Sequence, residues 1–341
     1  MIRKLLVGFV LVLVVCVAAY LRFHHPKRVL ETAYVGNHQV ILWNTSAQIR
    51  EPLGTVNYGD RVDVLARFQE QVQVHTADGR TGWITQSDLL SADLWQKAQD
   101  MESKATTLPV EARGHTRVLS NLHVEPGRDT PRIRQVNKSI PVDMFQRQPM
   151  DVPTVSPAAP TSATVDKEAA AAPADAKKED WWLVRAHMPD QTSVSGWVLG
   201  RFIDLDVPAP LPDYASSAGV HIAAWFELNR VSDSSGNAKS QYLLLGTRGP
   251  EGQPCDFTLI RVYTWDKQRE RYETAFVDSE LCGKLPVKIA QVAPPVSDAT
   301  FSFEDWSKGT SEQRIYRMHQ TVVRRVRQTG LGLGKRHDAH K

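Results

Sequence analysis

The sequence is poor in cysteine, which limits its covalent cross-links. Three cysteines occur among 341 residues. Cys16 lies in an N-terminal apolar run, so Cys255 and Cys282 are the one pair outside that run. An exported protein would use such a pair for a single disulfide, and two reduced, buried thiols are the alternative. The sequence leaves both states open.

A strong net charge is absent as well. The formal net charge is +3, which is too small to indicate nucleic acid binding over the whole chain. No RNP, zinc-finger or helix-turn-helix pattern accompanies the basic C-terminus. We therefore expect no nucleic acid partner.

The sequence patterns of common catalytic sites are also missing. No P-loop, G-x-G-x-x-G, H-E-x-x-H or G-x-S-x-G segment occurs. His24 and His25 have no cysteine or carboxylate neighbours that would complete a metal site. Glu304 and Asp305 are adjacent, so on a strand they would point to opposite faces, which is poor geometry for paired acid–base catalysis. We predict a protein that is not an enzyme, with no catalytic residues, cofactor or metal.

The N-terminus predicts a membrane anchor. Arg3 and Lys4 precede the uncharged run of residues 5–21, whose length is at the lower limit for a membrane span. A cleaved signal peptide is one alternative, and a lipoprotein signal using Cys16 is another. We favour a single-pass anchor within residues 1–29, with the bulk of the chain on the extracytoplasmic side of the cell membrane, either periplasmic or at the cell surface.

Short alternating segments separated by turn residues occupy two stretches of the chain. In residues 30–90, the segments 61–65 and 72–75 alternate polar and apolar residues, and Asp78-Gly79 is a hairpin signal. The same order of segments returns in residues 114–207. Five short strands in about sixty residues predict a small β-barrel.

Both stretches resemble the bacterial SH3 family. The family's G-x-x-V-x-V stretch is matched at Gly59, Val62 and Val64, and its late Gly-Trp pair is matched in both copies. Its L-x-V start is matched at Leu122 and Val124, although Glu125 replaces the usual Arg and the following Pro and Gly are inverted. The two Gly-Trp pairs are Gly82-Trp83 and Gly196-Trp197. The resemblance implies a mainly β chain with tandem SH3-like β-barrels.

Four tryptophans in these stretches are candidate ligand-binding residues. They are Trp43, Trp83, Trp182 and Trp197. One interpretation is that these indoles pack inside the barrels and have only a structural role. The other is that they line a groove for a peptide or a glycan.

Two segments differ from the barrel pattern. Residues 91–113 carry apolar side chains at helical spacing after Ser91, which predicts a linker helix. Residues 146–180 are rich in Pro and Ala and poor in large apolar side chains, which predicts a disordered insertion within the second barrel.

The remainder of the chain predicts a small antiparallel β (α+β) domain at residues 214–329. Residues 258–265 and 272–277 predict a hairpin. A bond between Cys255 and Cys282 would join the two ends of this hairpin. Residues 310–327 combine a capping box with an apolar face and several arginines, which predicts an amphipathic helix; the β-branched residues leave a strand as the alternative. A basic, Gly-rich tail follows at 330–341.

Taken together, these features predict a membrane-tethered scaffold or binding protein that acts on a cell-wall peptide or an envelope protein. The first alternative is a structural subunit of an envelope assembly without a wall ligand. The second is an accessory hydrolase at 214–329, because bacterial SH3 domains often accompany cell-wall cysteine peptidases. Cys255 departs from the Asp-Cys-Ser-Gly-like motif of those enzymes, and His319 alone does not rebuild a dyad.

Overall fold

The computed structural model describes residues 28–152, 177–291 and 298–326. Within these ranges the chain is mainly β, with three antiparallel sheets of seven strands each and two α-helices. The mainly β class is thus confirmed. No helix in the described ranges is long and apolar enough to cross a membrane. The predicted anchor at 5–21 and the basic tail at 330–341 lie outside the described residues.

The first sheet curves around one core. Alternate residues such as Val62, Val64, Val72 and Val74 are buried, and strands β1 to β6 all contribute to the same apolar cluster. The sheet order is β3-β2-β6-β5-β4-β1-β7, and a 3₁₀ turn at Gln86–Asp88 leads into the last strand. The strands are β1 Glu31–Val35, β2 Gln39–Trp43, β3 Pro52–Asn57, β4 Arg61–Phe68, β5 Gln71–Thr76, β6 Thr81–Thr85 and β7 Leu89–Ser91.

The second sheet repeats this strand order. Its order is β10-β9-β13-β12-β11-β8-β14, and a 3₁₀ turn at Gly200–Phe202 again precedes the last strand. The strands are β8 Ala112–Thr116, β9 Ser120–His123, β10 Arg132–Val136, β11 Pro141–Asp151, β12 Lys178–His187, β13 Ser193–Leu199 and β14 Ile203–Leu205.

The two sheets also share their irregularities. The register shifts between Val64 and Ala66 in the first sheet and between Met144 and Gln146 in the second. Such bulges bend a strand at a defined point, so their equivalent positions give both sheets the same local curvature.

The glycines of the two Gly-Trp pairs have equivalent surroundings. A Cβ at Gly82 would lie 2.7 Å from the carbonyl oxygen of Trp43, and a Cβ at Gly196 would lie 2.7 Å from the Cβ of Leu122. Because strand β2 or β9 crosses so closely at this point, only glycine fits at either position.

The predicted disorder of residues 146–180 is wrong at both ends. Strand β11 continues to Asp151 and strand β12 begins at Lys178, and the two remain paired from Gln146↔Leu183 to Asp151↔Lys178. On its own, the polar end of β11 predicts a loop. It forms a strand because it pairs with β12, which begins only after the proline-rich segment. Residues 153–176 lie outside the described residues.

Helix α1, Ala92–Thr107, follows the first sheet. The Ser91 hydroxyl accepts a hydrogen bond from the Leu94 N–H (3.2 Å), as expected of an N-cap. The chain divides into two compact units, one ending at Gln96 and the other beginning at Lys97, so the helix contributes to both. In the first unit Trp95 stacks on Tyr34 with ring centroids 5.0 Å apart.

The third sheet is an antiparallel meander in which the strands follow chain order. Helix α2, Leu211–Ser217, precedes it and packs through Leu211 and Ala215 on one face. The Cys255–Cys282 disulfide joins the ends of the β17–β18 hairpin, with Cα atoms 4.8 Å apart. The strands are β15 His221–Ser232, β16 Ala238–Thr247, β17 Phe257–Asp266, β18 Arg271–Gln291, β19 Asp298–Asp305, β20 Glu312–His319 and β21 Val322–Val326.

The amphipathic helix predicted for residues 310–327 is wrong, because this segment forms strands β20 and β21. Arg314, Tyr316 and Met318 are buried in alternation, which is the period of a strand. The predicted helix would leave Arg314 in solvent. In strand β20 this side chain is instead buried and paired with Asp305 (2.6 Å) and Asp278 (3.3 Å).

Candidate functional site

Two of the four candidate tryptophans lie together on the outer face of the first sheet. Trp43 on β2 and Trp83 on β6 are directly paired cross-strand neighbours, and both are half-buried. Gln73 is paired with Trp83 on the other side. We call the surface around Trp43 and Trp83 the open face.

The open face combines apolar and hydrogen-bonding groups. Ile41, which is 42% exposed, lies on the same side of β2 as Trp43. A shallow groove of about 220 Å³ runs beside these two residues and Thr85. Gln71 Nε2 donates to Thr85 Oγ1 (3.4 Å), while Gln71 Oε1 has no hydrogen-bond partner among the described residues. The open face thus presents aromatic and apolar side chains beside a shallow groove.

Arg50 covers part of Trp43. Its guanidinium carbon lies 4.2 Å from the ring centroid, within the range of a cation–π contact. Arg50 follows β2 in the exposed loop before β3. A ligand that stacks on Trp43 would therefore share the ring with Arg50 or displace it.

The equivalent face of the second sheet is closed. Trp181, Leu183 and Leu199 take the places of Gln71, Gln73 and Thr85, and all three apolar residues are buried.

Helix α1 approaches this closed face. Glu102 Oε1 accepts hydrogen bonds from Arg185 Nε (2.8 Å) and from Ser193 Oγ (3.3 Å). The buried residues Ala98, Met101 and Ala105 give the helix an apolar side. One copy of the duplicated face therefore serves packing, and the other remains accessible.

Trp182 and Trp197 have little surface left for a ligand. Their exposed fractions are 6% and 7%. Trp182 corresponds to the inward-facing Val72, whereas Trp197 lies on the closed face and is paired with His123.

A second cavity, of about 530 Å³, lies within the second unit between the second and third sheets. Arg147, whose side chain is 5% exposed, crosses this boundary. It donates to Asp180 Oδ1 (2.6 Å) and Asp256 Oδ1 (3.0 Å). It also donates to the carbonyl oxygens of Gln253 (2.8 Å) and Cys255 (3.1 Å).

Other charges along the cavity are paired within the protein. Arg201 contacts both Glu179 (2.7 Å) and Glu251 (3.7 Å). Hydrogen bonding from Arg128 holds the pKa of Glu179 below its ordinary value. Because these arginines are already paired with carboxylates, the cavity is better explained as part of the packing boundary between the two sheets than as an anion-binding site.

Glu111 is a buried acid at the same boundary. It is 2% exposed, and its Oε2 accepts a hydrogen bond from the Val287 N–H (3.2 Å). Burial raises the pKa of Glu111 to about 7, and the nearby Asp256 carboxylate contributes to the increase. Neither Arg147 nor Glu111 has a recognisable pattern in the sequence, because both depend on a partner more than 100 residues away.

Cys255 is bonded to Cys282, so its sulfur is not available as a thiolate nucleophile. His319 is hydrogen-bonded to Asp298 (2.6 Å). Among the described residues no group of three or more His, Cys, Asp or Glu side chains has a metal-binding arrangement.

Comparisons with known proteins give only remote similarities. No protein-family model and no curated protein matches the chain. An NlpC/P60 family protein from Bacillus cereus is 12% identical with a TM-score of 0.21, over 59% of this chain and 65% of that chain, which is less than two thirds of its length. NlpC2 from Trichomonas vaginalis is 11% identical with a TM-score of 0.17, over 88% and 97% of the two chains. NlpC1 from the same organism is 11% identical with a TM-score of 0.16, over 87% and 92%. TM-scores this low carry no argument about fold or function.

Proposed function

We propose that this chain is a non-enzymatic binding protein, tethered to the membrane through residues 5–21 and extracytoplasmic over most of its length. In this proposal the first two sheets are SH3-like barrels. The first barrel binds a cell-wall peptide or a peptide segment of an envelope protein through its open face. The second barrel and the third sheet form a scaffold.

The observation that carries the proposal is the difference between two equivalent faces. In the first sheet Trp43 lines a groove and the neighbouring Trp83 is half-buried, whereas Trp197, which matches Trp83 in the second sheet, is 7% exposed. The difference supports a division of roles in which the closed face packs and the open face binds a ligand. Tryptophan is also among the residues most often found at the centre of binding sites.

The chemistry of the open face suits an extended peptide. Aromatic-lined grooves bind extended or polyproline-type segments through ring contacts and a few hydrogen bonds. Gln39 and Thr85 line the groove and carry polar side chains for hydrogen bonds to a peptide, and the pair of indoles provides the apolar contact.

The test uses the full chain in detergent with purified peptidoglycan sacculi. We expect the wild type to sediment with the sacculi, and we expect Trp43→Ala to reduce the affinity by about 30-fold, corresponding to the ~2 kcal/mol typical of a central aromatic contact. Trp306→Ala is the matched control, because Trp306 is 43% exposed in the connection between strands β19 and β20. This control should bind like the wild type.

Two outcomes would reject a wall ligand at the open face. Equal sedimentation of Trp43→Ala and the wild type would place the binding elsewhere. Absence of wild-type sedimentation, together with a stable complex on detergent purification, would favour the alternative of a structural subunit in an envelope assembly.

A further inference from the structure

The third sheet carries a continuous group of aromatic side chains on the face that helix α2 contacts. Trp225 and Tyr242 have ring centroids 5.8 Å apart, and Tyr242 and Tyr272 are 5.6 Å apart. Tyr214 of the helix stacks on Tyr263 with centroids 5.6 Å apart. We call these five residues the aromatic platform.

The aromatic platform is only partly covered because the helix is short. Helix α2 has seven residues, and it buries Leu244, Leu259 and Tyr263 beneath Leu211 and Ala215. Beyond the helix, the platform residues other than Tyr263 remain half-buried.

Two adjoining pockets open on the platform. Their volumes are about 220 Å³ and 430 Å³, and they share Tyr214, Tyr272 and Thr274. A combined space of this size lies in the range of small-molecule sites, which are mostly lined by apolar and aromatic groups with a few polar ones.

Two residues that line the smaller pocket each carry a buried polar atom with no hydrogen-bond partner among the described residues. These atoms are the hydroxyl of Tyr263, a residue that is 1% exposed, and Nε of Arg261. Buried polar atoms are nearly always paired, so each unpaired one requires an explanation. A bound ligand with its own hydroxyl groups would pair both.

We propose that the aromatic platform is a carbohydrate-binding site for an oligosaccharide. Sugar rings have an apolar C–H face that stacks on tyrosine and an edge of hydroxyls that both donate and accept hydrogen bonds. In this arrangement Tyr272 and Tyr214 contact the sugar faces. The Tyr263 hydroxyl and Arg261 Nε bind the sugar hydroxyls.

The carboxylate at the edge of the pockets is not free to bind a cationic ligand. Glu273 is already engaged by Arg269 (2.6 Å) and Arg271 (3.0 Å). The Tyr263 hydroxyl and the Arg261 Nε–H remain unpaired beside the aromatic rings, and both can bind the hydroxyls of a sugar. The site is separate from the open face, so it does not rest on the function proposed above.

The test is titration of the full chain with chitotetraose, followed by calorimetry and by tryptophan fluorescence. We expect saturable binding and a fluorescence change, because Trp225 belongs to the platform and Trp265 contacts Tyr272 with centroids 5.2 Å apart. Tyr272→Ala should weaken binding by tenfold or more. Trp306→Ala should leave the affinity unchanged.

Tyr263→Phe distinguishes a ligand contact from a structural role. It removes one hydroxyl that has no partner within residues 28–152, 177–291 and 298–326, so the melting temperature should not fall. The affinity should decrease by about 3- to 10-fold, the loss expected for one hydrogen bond.

Two results would overturn the proposal: no wild-type binding at millimolar chitotetraose, or unchanged affinity in Tyr263→Phe. Because sacculi contain glycan as well as peptide, the sedimentation test of Trp43→Ala is repeated in the Tyr272→Ala background, so that the two sites succeed or fail separately.

Discussion

Replacing Arg147 with alanine is expected to loosen the boundary between the second and third sheets. The side chain is 5% exposed and donates four hydrogen bonds, two of them to the carboxylates of Asp180 and Asp256. Its removal leaves two carboxylates in a poorly solvated place. Loss of one partner from a buried ion pair typically costs about 3–5 kcal/mol.

The remaining contacts place the expected loss at the lower end of that range. Asp180 keeps a hydrogen bond from the Gly252 N–H (2.9 Å), and Asp256 keeps one from the Leu285 N–H (3.0 Å). Lys284 Nζ also lies 3.7 Å from Asp256. We therefore expect Arg147→Ala to lower the free energy of unfolding by about 3 kcal/mol.

The assay is urea denaturation of the full chain, following the transition of the second unit separately from that of the first, since a chain with two units need not unfold in one step. Arg113→Ala is the matched control, because Arg113 pairs with Asp143 but its side chain is 71% exposed. Exposed pairs contribute about 0–1 kcal/mol. If the free energy of unfolding falls by the same amount in both variants, the conclusion that the buried ion pairs of Arg147 stabilise this boundary is refuted.

Three further predictions concern stability. The folded-state pKa of Glu111 is raised to about 7 from 4.5, so wild-type stability falls as pH rises between these values. The free energy of unfolding of Glu111→Gln should exceed that of the wild type by up to about 3 kcal/mol at pH 8, and by little at pH 4.5. A difference in urea midpoints that does not change with pH would contradict this. The disulfide closes a loop with a sequence separation of 27, so the Cys255→Ser, Cys282→Ser double variant should lose about 3–4 kcal/mol; an unchanged melting temperature would argue against the bond. Gly82→Ala and Gly196→Ala should each cost about 1–3 kcal/mol through overcrowding, and loss in only one of the two would contradict their equivalence.

The sequence indicates local structure better than it indicates burial. Alternation around Val62 and Val142 marks strands that the structure contains, and the spacing of Ala98, Met101 and Ala105 coincides with the buried side of helix α1. These signals depend on neighbours within a few residues.

Long-range pairing explains what local patterns miss. The spacing of Ile315, Met318 and Val322 fits a helix, but the segment pairs with β19 and becomes two strands. Arg147 stands in a polar segment that resembles a loop, and its four acceptors come from residues 180–256. Likewise, nothing local distinguishes the buried Trp197 from the half-buried Trp83, because the difference comes from apolar replacements on a neighbouring strand.

Hydrogen–deuterium exchange of the full chain, with and without soluble peptidoglycan fragments, tests the assignment of recognition to the open face most directly. Strands β2 and β6, at 39–43 and 81–85, should exchange more slowly when the fragments are present. The matching strands β9 and β13, at 120–123 and 193–199, should not change. Protection confined to the second sheet, or none in either, would contradict the account.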